Sequence, residues 1–163
     1  MSGGLNLIKR TMGKKKITDF TVVRSIMTLQ RDIFSIFNNT PKKFRYNIEQ
    51  EVKDSVSNAL RLVVKSMDTP QLDSYMMQMK RDYLLEAHSE LRVLEVNLCQ
   101  LNDMCALSNE AKAKLDISLY DIYGNITRLV NSLIRHISES ENGCYDNHPE
   151  LGVIGMPNCG MEK

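Results

Sequence analysis

One long apolar stripe constrains the fold more than any other feature of this chain. Between Met77 and Cys105, apolar residues recur in steps of three and four, the period of a helix with one buried face. The pattern predicts a helix from about Pro70 to Met104, roughly 50 Å long, interrupted only by Lys80. The stripe consists of Met77, Leu84, Ala87, Leu91, Leu94, Leu98, Leu101 and Cys105.

A stripe of this length needs other helices to cover it, because each large side chain gains about 1.5–3 kcal/mol on burial. Three further segments have the same helical period. Thr40-Pro41 and Thr69-Pro70 each combine an N-cap hydroxyl with a proline at the first helical position, so they are predicted to begin the second and third helices. The first helix is predicted from Asp19 or Thr21 to Phe37, the second ends near Met67, and the fourth runs from Ser108-Asn109 to the break at Ser138-Glu139-Ser140.

Short connections between long amphipathic helices place sequential helices antiparallel. The predicted fold class is therefore all-α, an antiparallel up-down-up-down four-helix bundle. Three regions are expected: a flexible basic arm at 1–17, the bundle at 18–140, and an irregular tail at 141–163 that is rich in Gly, Pro, Asn and acidic residues.

The formal net charge of the 163 residues is only +1, but the charges are unevenly distributed. Residues 1–53 contain eleven Lys or Arg against four Asp or Glu, whereas residues 54–163 contain ten against sixteen. Such asymmetry is an argument about binding partners. Without a long apolar run or a signal sequence, the chain is predicted to be cytoplasmic, away from membranes, with its four cysteines reduced.

The common enzyme signatures are missing: there is no phosphate-binding Gly-rich loop, no nucleophile elbow and no zinc-protease helix. Cys144, His148 and Cys159 in the tail could bind zinc, but their spacing is irregular and a fourth ligand is not evident. We therefore predict no catalytic residues, no metal site and no cofactor.

The segment Thr40-Pro41-Lys42-Lys43-Phe44-Arg45-Tyr46 concentrates positive charge at the predicted start of the second helix. A helix N-terminus already has a partial positive charge, so basic side chains there are slightly destabilising. Backbone N–H groups and the side chains of Lys42, Lys43 and Arg45 could converge on one phosphate. Three solvated cations beside a loop are the alternative interpretation.

Further basic residues extend this candidate nucleic-acid or partner-binding site. The acid-free arm is either a solubilising start or a tail that contacts phosphate groups. Basic residues on the helices form one surface only if their faces adjoin in the fold. The additional candidates are Lys14, Lys15 and Lys16 in the arm, Arg24 and Arg31 on the first helix, Arg61 and Lys65 on the second, and Lys80 and Arg81 on the third.

This layout resembles the four-helix-bundle family of the ribosomal-RNA intervening-sequence protein. The resemblance rests on the proline-basic-aromatic turn from Pro41 to Tyr46 and on the Leu- and Glu-rich segment from Glu90 to Leu98. Within that family the chain is most similar to the accessory variability determinants of diversity-generating retroelements. The match covers about residues 22–137, so nothing is implied for the arm or the tail.

The resemblance implies a non-catalytic homopentamer that binds the reverse transcriptase of the element and its template RNA. Such a protein supports mutagenic cDNA synthesis and retrohoming, with basic surface residues making the contacts. Apolar residues outside the main stripes are expected to serve subunit contacts in this case: Leu62, Leu85, Val93 and Val130. The alternative is an interaction protein of the ribosomal-RNA intervening-sequence type with a different partner.

Overall fold

A computed structural model describes residues 17–39 and 48–145 of the chain, with side chains at 21–38 and 48–141. Over these residues the structure is helical and contains no strand. The helices are α1 (Ile17–Asn39), α2 (Ile48–Asp68), α3 (Ser74–Asp103) and α4 (Asn109–Tyr145). The all-α prediction is confirmed.

Each helix packs against two others, in the cyclic order α1, α2, α3, α4 and back to α1. The apolar stripes of all four helices meet in one core. The predicted four-helix bundle is therefore confirmed. The largest fully buried side chains are Val22, Ile26, Leu29 and Ile33 of α1, Leu84, Leu91, Leu94 and Leu98 of α3, and Leu115, Leu119, Ile122 and Ile126 of α4.

The central stripe on α3 is buried from Met77 to Leu101, as predicted, but not at its last member. Cys105 is exposed, and Leu107 in the following turn is buried instead. Lys80 does not leave the stripe: only 7% of it is exposed. Its four-carbon side chain is apolar enough to lie along a core face.

The N-terminus of α3 differs from the prediction. Asp73 is the N-cap, with Oδ1 accepting a hydrogen bond of 2.7 Å from the backbone N–H of Met76. Thr69 instead closes α2, because both its N–H and its hydroxyl donate to the Lys65 carbonyl at 3.0 and 2.8 Å. The prediction that Thr69-Pro70 begins the third helix was wrong, and the helix starts four residues later.

The turn between α3 and α4 is closed by backbone hydrogen bonds. Cys105 has a φ of 57°, its N–H donates to the Asn102 carbonyl, and the Ala106 N–H donates to the Leu101 carbonyl. This is the pattern of a Schellman motif, which normally favours glycine at the residue of positive φ. The predicted N-cap of α4 is confirmed, since Ser108 Oγ accepts from the Ala111 N–H at 3.2 Å.

Helix α4 continues to Tyr145, beyond the break predicted at residues 138–140. The hydroxyl of Ser138 donates to the Ile134 carbonyl at 3.1 Å. Serine bonded in this way remains compatible with a helix interior. The predicted boundary at residue 140 therefore falls inside the helix.

The apolar residues expected at subunit contacts divide into two groups. Leu62 and Val130 are buried in the core of the single chain, so that expectation was wrong for them. Leu85 and Val93 are exposed on α3. Among the described helices, none has a stretch long and apolar enough to span a bilayer.

Candidate nucleic-acid interface

Two side-chain contacts join α1 to α2 and set their register. Gln30 Nε2 donates to Ser57 Oγ at 3.0 Å, and Lys53 Nζ lies 5.4 Å from the centroid of the Phe34 ring. Both pairs fit one antiparallel alignment, in which residues 21–31 of α1 run beside residues 56–66 of α2. The basic residues predicted on these two helices therefore lie on neighbouring segments.

Four of the predicted basic residues are exposed there, and we call them the α1–α2 basic face: Arg24, Arg31, Arg61 and Lys65. Arg24 and Arg31 are two turns apart on one side of α1, about 10 Å along the axis. Arg61 Nη2 donates to Asn58 Oδ1 at 3.1 Å. Lys65 Nζ lies 5.6 Å from the centroid of the Tyr83 ring on α3. Helices α1 and α2 pack side by side, but the Lys65 ammonium reaches toward α3 and not toward α1.

Acidic residues are absent from the two segments that hold this face. Neither residues 21–31 nor residues 56–66 contain Asp or Glu. Asp32 approaches Arg31 at 3.7 Å, but it also pairs with Lys114 of α4 at 3.2 Å. Stability would favour interleaved charges of both signs on adjacent helices, so the face is a local concentration of positive potential.

Exposed apolar side chains lie among these cations. Met27 is 55% exposed and Phe34 is 37% exposed. Two shallow grooves meet at Met27 and Arg31, one reaching Arg24 and the other Phe34. Sequence reasoning missed the two apolar residues, although the spacing of Arg24, Met27, Arg31 and Phe34 in steps of three, four and three places them on one side of a helix.

Lys80 and Arg81 do not belong to the basic face. Lys80 is buried in the core stripe, so its prediction as a surface contact was wrong. Arg81 is half-buried and pairs with Asp82 at 2.8 Å. It is seven residues from His88, which contacts α4, so Arg81 lies on the side of α3 turned away from α2.

The remaining candidates, Lys14, Lys15 and Lys16 of the arm and Lys42, Lys43 and Arg45 of the turn, lie outside the described residues. The turn precedes Ile48, the first described residue of α2. The cations of the turn therefore remain a prediction from the sequence.

A polar network joins α3 to α4. The Tyr123 hydroxyl lies 2.9 Å from the Leu91 carbonyl and 3.1 Å from Glu95 Oε2 and can donate to either. Arg92 binds the same Glu95 oxygen at 2.7 Å, and the His88 ring centroid is 4.8 Å from that of Tyr123. Burial, with the negative charge of Glu95, raises the pKa of Tyr123 above its ordinary value. The neutral hydroxyl links α3 to α4, and His88 lies at the same contact between these helices.

About three turns before Tyr123 on α4, Lys112 pairs with Asp116 on the same face of the helix. Burial lowers the pKa of Lys112, but the Asp116 carboxylate outweighs burial and the pKa is raised. His136 Nδ1 lies 3.3 Å from Glu139 Oε2, and α4 continues beyond both residues to Tyr145. Within residues 17–39 and 48–145, no three His, Cys, Asp or Glu residues are grouped to hold a metal ion.

Comparisons with known proteins add no relative: no family model matches the chain, and no curated protein or solved structure does so either.

Proposed function

We propose that this chain is a cytoplasmic, non-catalytic adaptor that binds the template RNA and the reverse transcriptase of a diversity-generating retroelement. In this role it supports mutagenic cDNA synthesis and retrohoming. The proposal joins the family resemblance of the sequence to one observation in the structure. That observation is the α1–α2 basic face, where Arg24, Arg31, Arg61 and Lys65 are exposed on adjacent helices.

The chemistry of this face favours a phosphate backbone as the ligand. Exposed Arg and Lys side chains neutralise phosphates and release condensed counterions, which gives affinity without requiring base readout. The arginines of α1 are spread along about 10 Å of helix, which suits an extended strand better than a single small anion. Lys42, Lys43 and Arg45 immediately precede α2 in the sequence and would extend the same surface.

The exposed Met27 and Phe34 favour a protein partner at the edge of the same face. Interface centres are enriched in Met, aromatic residues and Arg and depleted in acidic residues. A polymerase that holds RNA against this adaptor would contact both types of side chain. The alternative adaptor, of the ribosomal-RNA intervening-sequence type, would use the same apolar residues for a different protein.

The first experiment measures RNA affinity by fluorescence anisotropy with a single-stranded RNA of mixed sequence. The test variant replaces Arg24, Arg31, Arg61 and Lys65 with Gln. The control replaces four cations elsewhere with Gln, for the same change in net charge: Arg81, Arg92, Lys114 and Arg135. The proposal expects at least a tenfold loss of affinity in the test variant and less than a threefold loss in the control. Equal losses would contradict it.

A second experiment tests the protein partner by co-purification with a retroelement reverse transcriptase, after nuclease treatment to remove RNA bridges. We expect retention by the native chain and loss with Met27→Glu and Phe34→Glu together. Retention of RNA binding without any retention of the polymerase would favour the alternative adaptor. The homopentamer implied by the resemblance is a further prediction, which light scattering measures.

A further inference from the structure

Helix α4 has one side that no other helix covers in the part of the chain that the structure describes. Its inner side packs in the core through residues such as Ile122 and Ile126. One flank contacts α3 through Tyr123, and the other contacts α1 through the ion pair of Lys114 with Asp32. The remaining side faces outward along the length of the helix.

Uncharged residues follow this outward side in a heptad pattern. They are spaced by alternating threes and fours, like the core positions of a coiled coil. Ile117 is 67% exposed and Tyr120 is 78% exposed. The pattern consists of Ile117, Tyr120, Gly124, Thr127, Asn131 and Ile134, and Ala113 and Ser138 continue it at either end. We call these eight residues the outer stripe of α4.

Gly124 is not explained by packing within the chain. Glycine inside a helix is destabilising relative to alanine. A Cβ atom built at Gly124 would meet nothing within 4 Å. No described residue occupies this space, but the missing side chain would allow the backbone of another helix to approach closely.

The outer stripe is complementary to itself when it is reversed. We propose that it pairs with the outer stripe of a second copy of this chain, antiparallel, about a twofold axis between residues 124 and 127. Ile117 then lies against Ile134 of the other copy, and Gly124 against Thr127, where the two helices come closest. Tyr120 meets Asn131, so both polar groups have a hydrogen-bonding partner.

Flanking charges favour the same arrangement. Asp121 and Arg128 each follow a stripe residue by one position, on the same side of the stripe. In an antiparallel pair such flanking positions face each other across the contact. Asp121 of each copy therefore meets Arg128 of the other, which gives two ion pairs related by the twofold axis.

This inference goes beyond the proposed function and does not depend on it. A twofold contact uses the same surface on both copies and is complete with two chains. A dimer closed by this contact is an alternative to the homopentamer implied by the resemblance, and the mass of the native chain decides between them. The outer stripe also lies on α4, away from the α1–α2 basic face, so RNA binding and pairing are separable properties.

A charge-swap experiment tests the pairing by light scattering at increasing protein concentration. The native chain is expected to reach twice its monomer mass of 18.7 kDa. Asp121→Arg and Arg128→Asp should each be monomeric, because each brings like charges together. An equimolar mixture of the two variants should restore the dimer, since every pair is then of opposite sign. Restoration also shows that both variants are folded.

An apolar substitution provides an independent test with a matched control. Ile117→Glu should weaken self-association at least tenfold, while Val64→Glu on α2, at a position that is 40% exposed, should leave it within twofold. Helix content by circular dichroism should be unchanged in both. A native chain that stays monomeric, a pentamer insensitive to the charge swap, or equal effects of the two glutamates would overturn the inference.

Discussion

Truncation of Leu91 tests whether the α3 stripe organises the bundle. Leu91 is fully buried at the middle of α3, and its carbonyl accepts from the Tyr123 hydroxyl of α4 at 2.9 Å. Leu-to-Ala changes in cores cost about 2.7–5 kcal/mol, depending on how far the site collapses. Because Tyr123 fixes the backbone at this point, we expect limited collapse and a cost of about 4 kcal/mol. For a chain of this size that lowers Tm by roughly 8–16 °C.

The assay is urea unfolding of Leu91→Ala followed by circular dichroism, with Val93→Ala as the control. Val93 is two residues away on the same helix and is 51% exposed. Surface substitutions of this kind change stability by about 0.5 kcal/mol or less. A loss below about 1 kcal/mol for Leu91→Ala, or equal losses for the two variants, would refute the assignment of this stripe to the core.

Three further predictions concern single residues. Tyr123→Phe should lower the free energy of unfolding by about 1 kcal/mol at neutral pH. Because burial and Glu95 raise the pKa of Tyr123 in the folded state, the native chain should lose this extra stability as pH rises above about 10. A stability difference that stays constant with pH in urea titrations would contradict this. Cys105→Gly should stabilise the chain by about 1 kcal/mol, since glycine adopts a φ of 57° without the strain that a Cβ atom causes there. An unchanged Tm would show that the backbone at Cys105 is not strained. Gly124→Ala in the Asp121→Arg background should raise the free energy of unfolding by about 0.5–1 kcal/mol, and a loss would show that the space at this glycine is filled within the chain.

Helix periodicity was sufficient to predict the bundle because burial depends on the spacing of apolar residues. The ends of the helices were harder to predict, because several polar side chains near each end could act as the cap. Thr69 looked like an N-cap in the sequence, but its hydroxyl is bonded to the carbonyl of Lys65, while Asp73 offers a carboxylate four residues later. Nothing in the local sequence decides between these two candidate N-caps.

The basic face was only partly predictable for a different reason. Spacing along one helix places Arg24 and Arg31 together, but the register between helices decides whether Arg61 adjoins them. Lys80 was assigned to the surface from its residue type, although its position lies in the apolar stripe. Position was the better guide, because a lysine stem can lie on a core face.

The outer stripe of α4 also has a signature in the sequence. Its heptad spacing is visible in the sequence from Ala113 to Ser138. The inward stripe of the same helix has a similar period, and only the structure shows which side the core covers.

The most direct test of the central claim is the salt dependence of RNA binding by the native chain and by the variant with Gln at Arg24, Arg31, Arg61 and Lys65. For single strands, the slope of log Kobs against log salt is about −0.7 per neutralised phosphate. If all four cations contact phosphates, their removal should make the slope less steep by about 3. An unchanged slope would contradict the account, because the α1–α2 basic face would then not be where the RNA backbone binds.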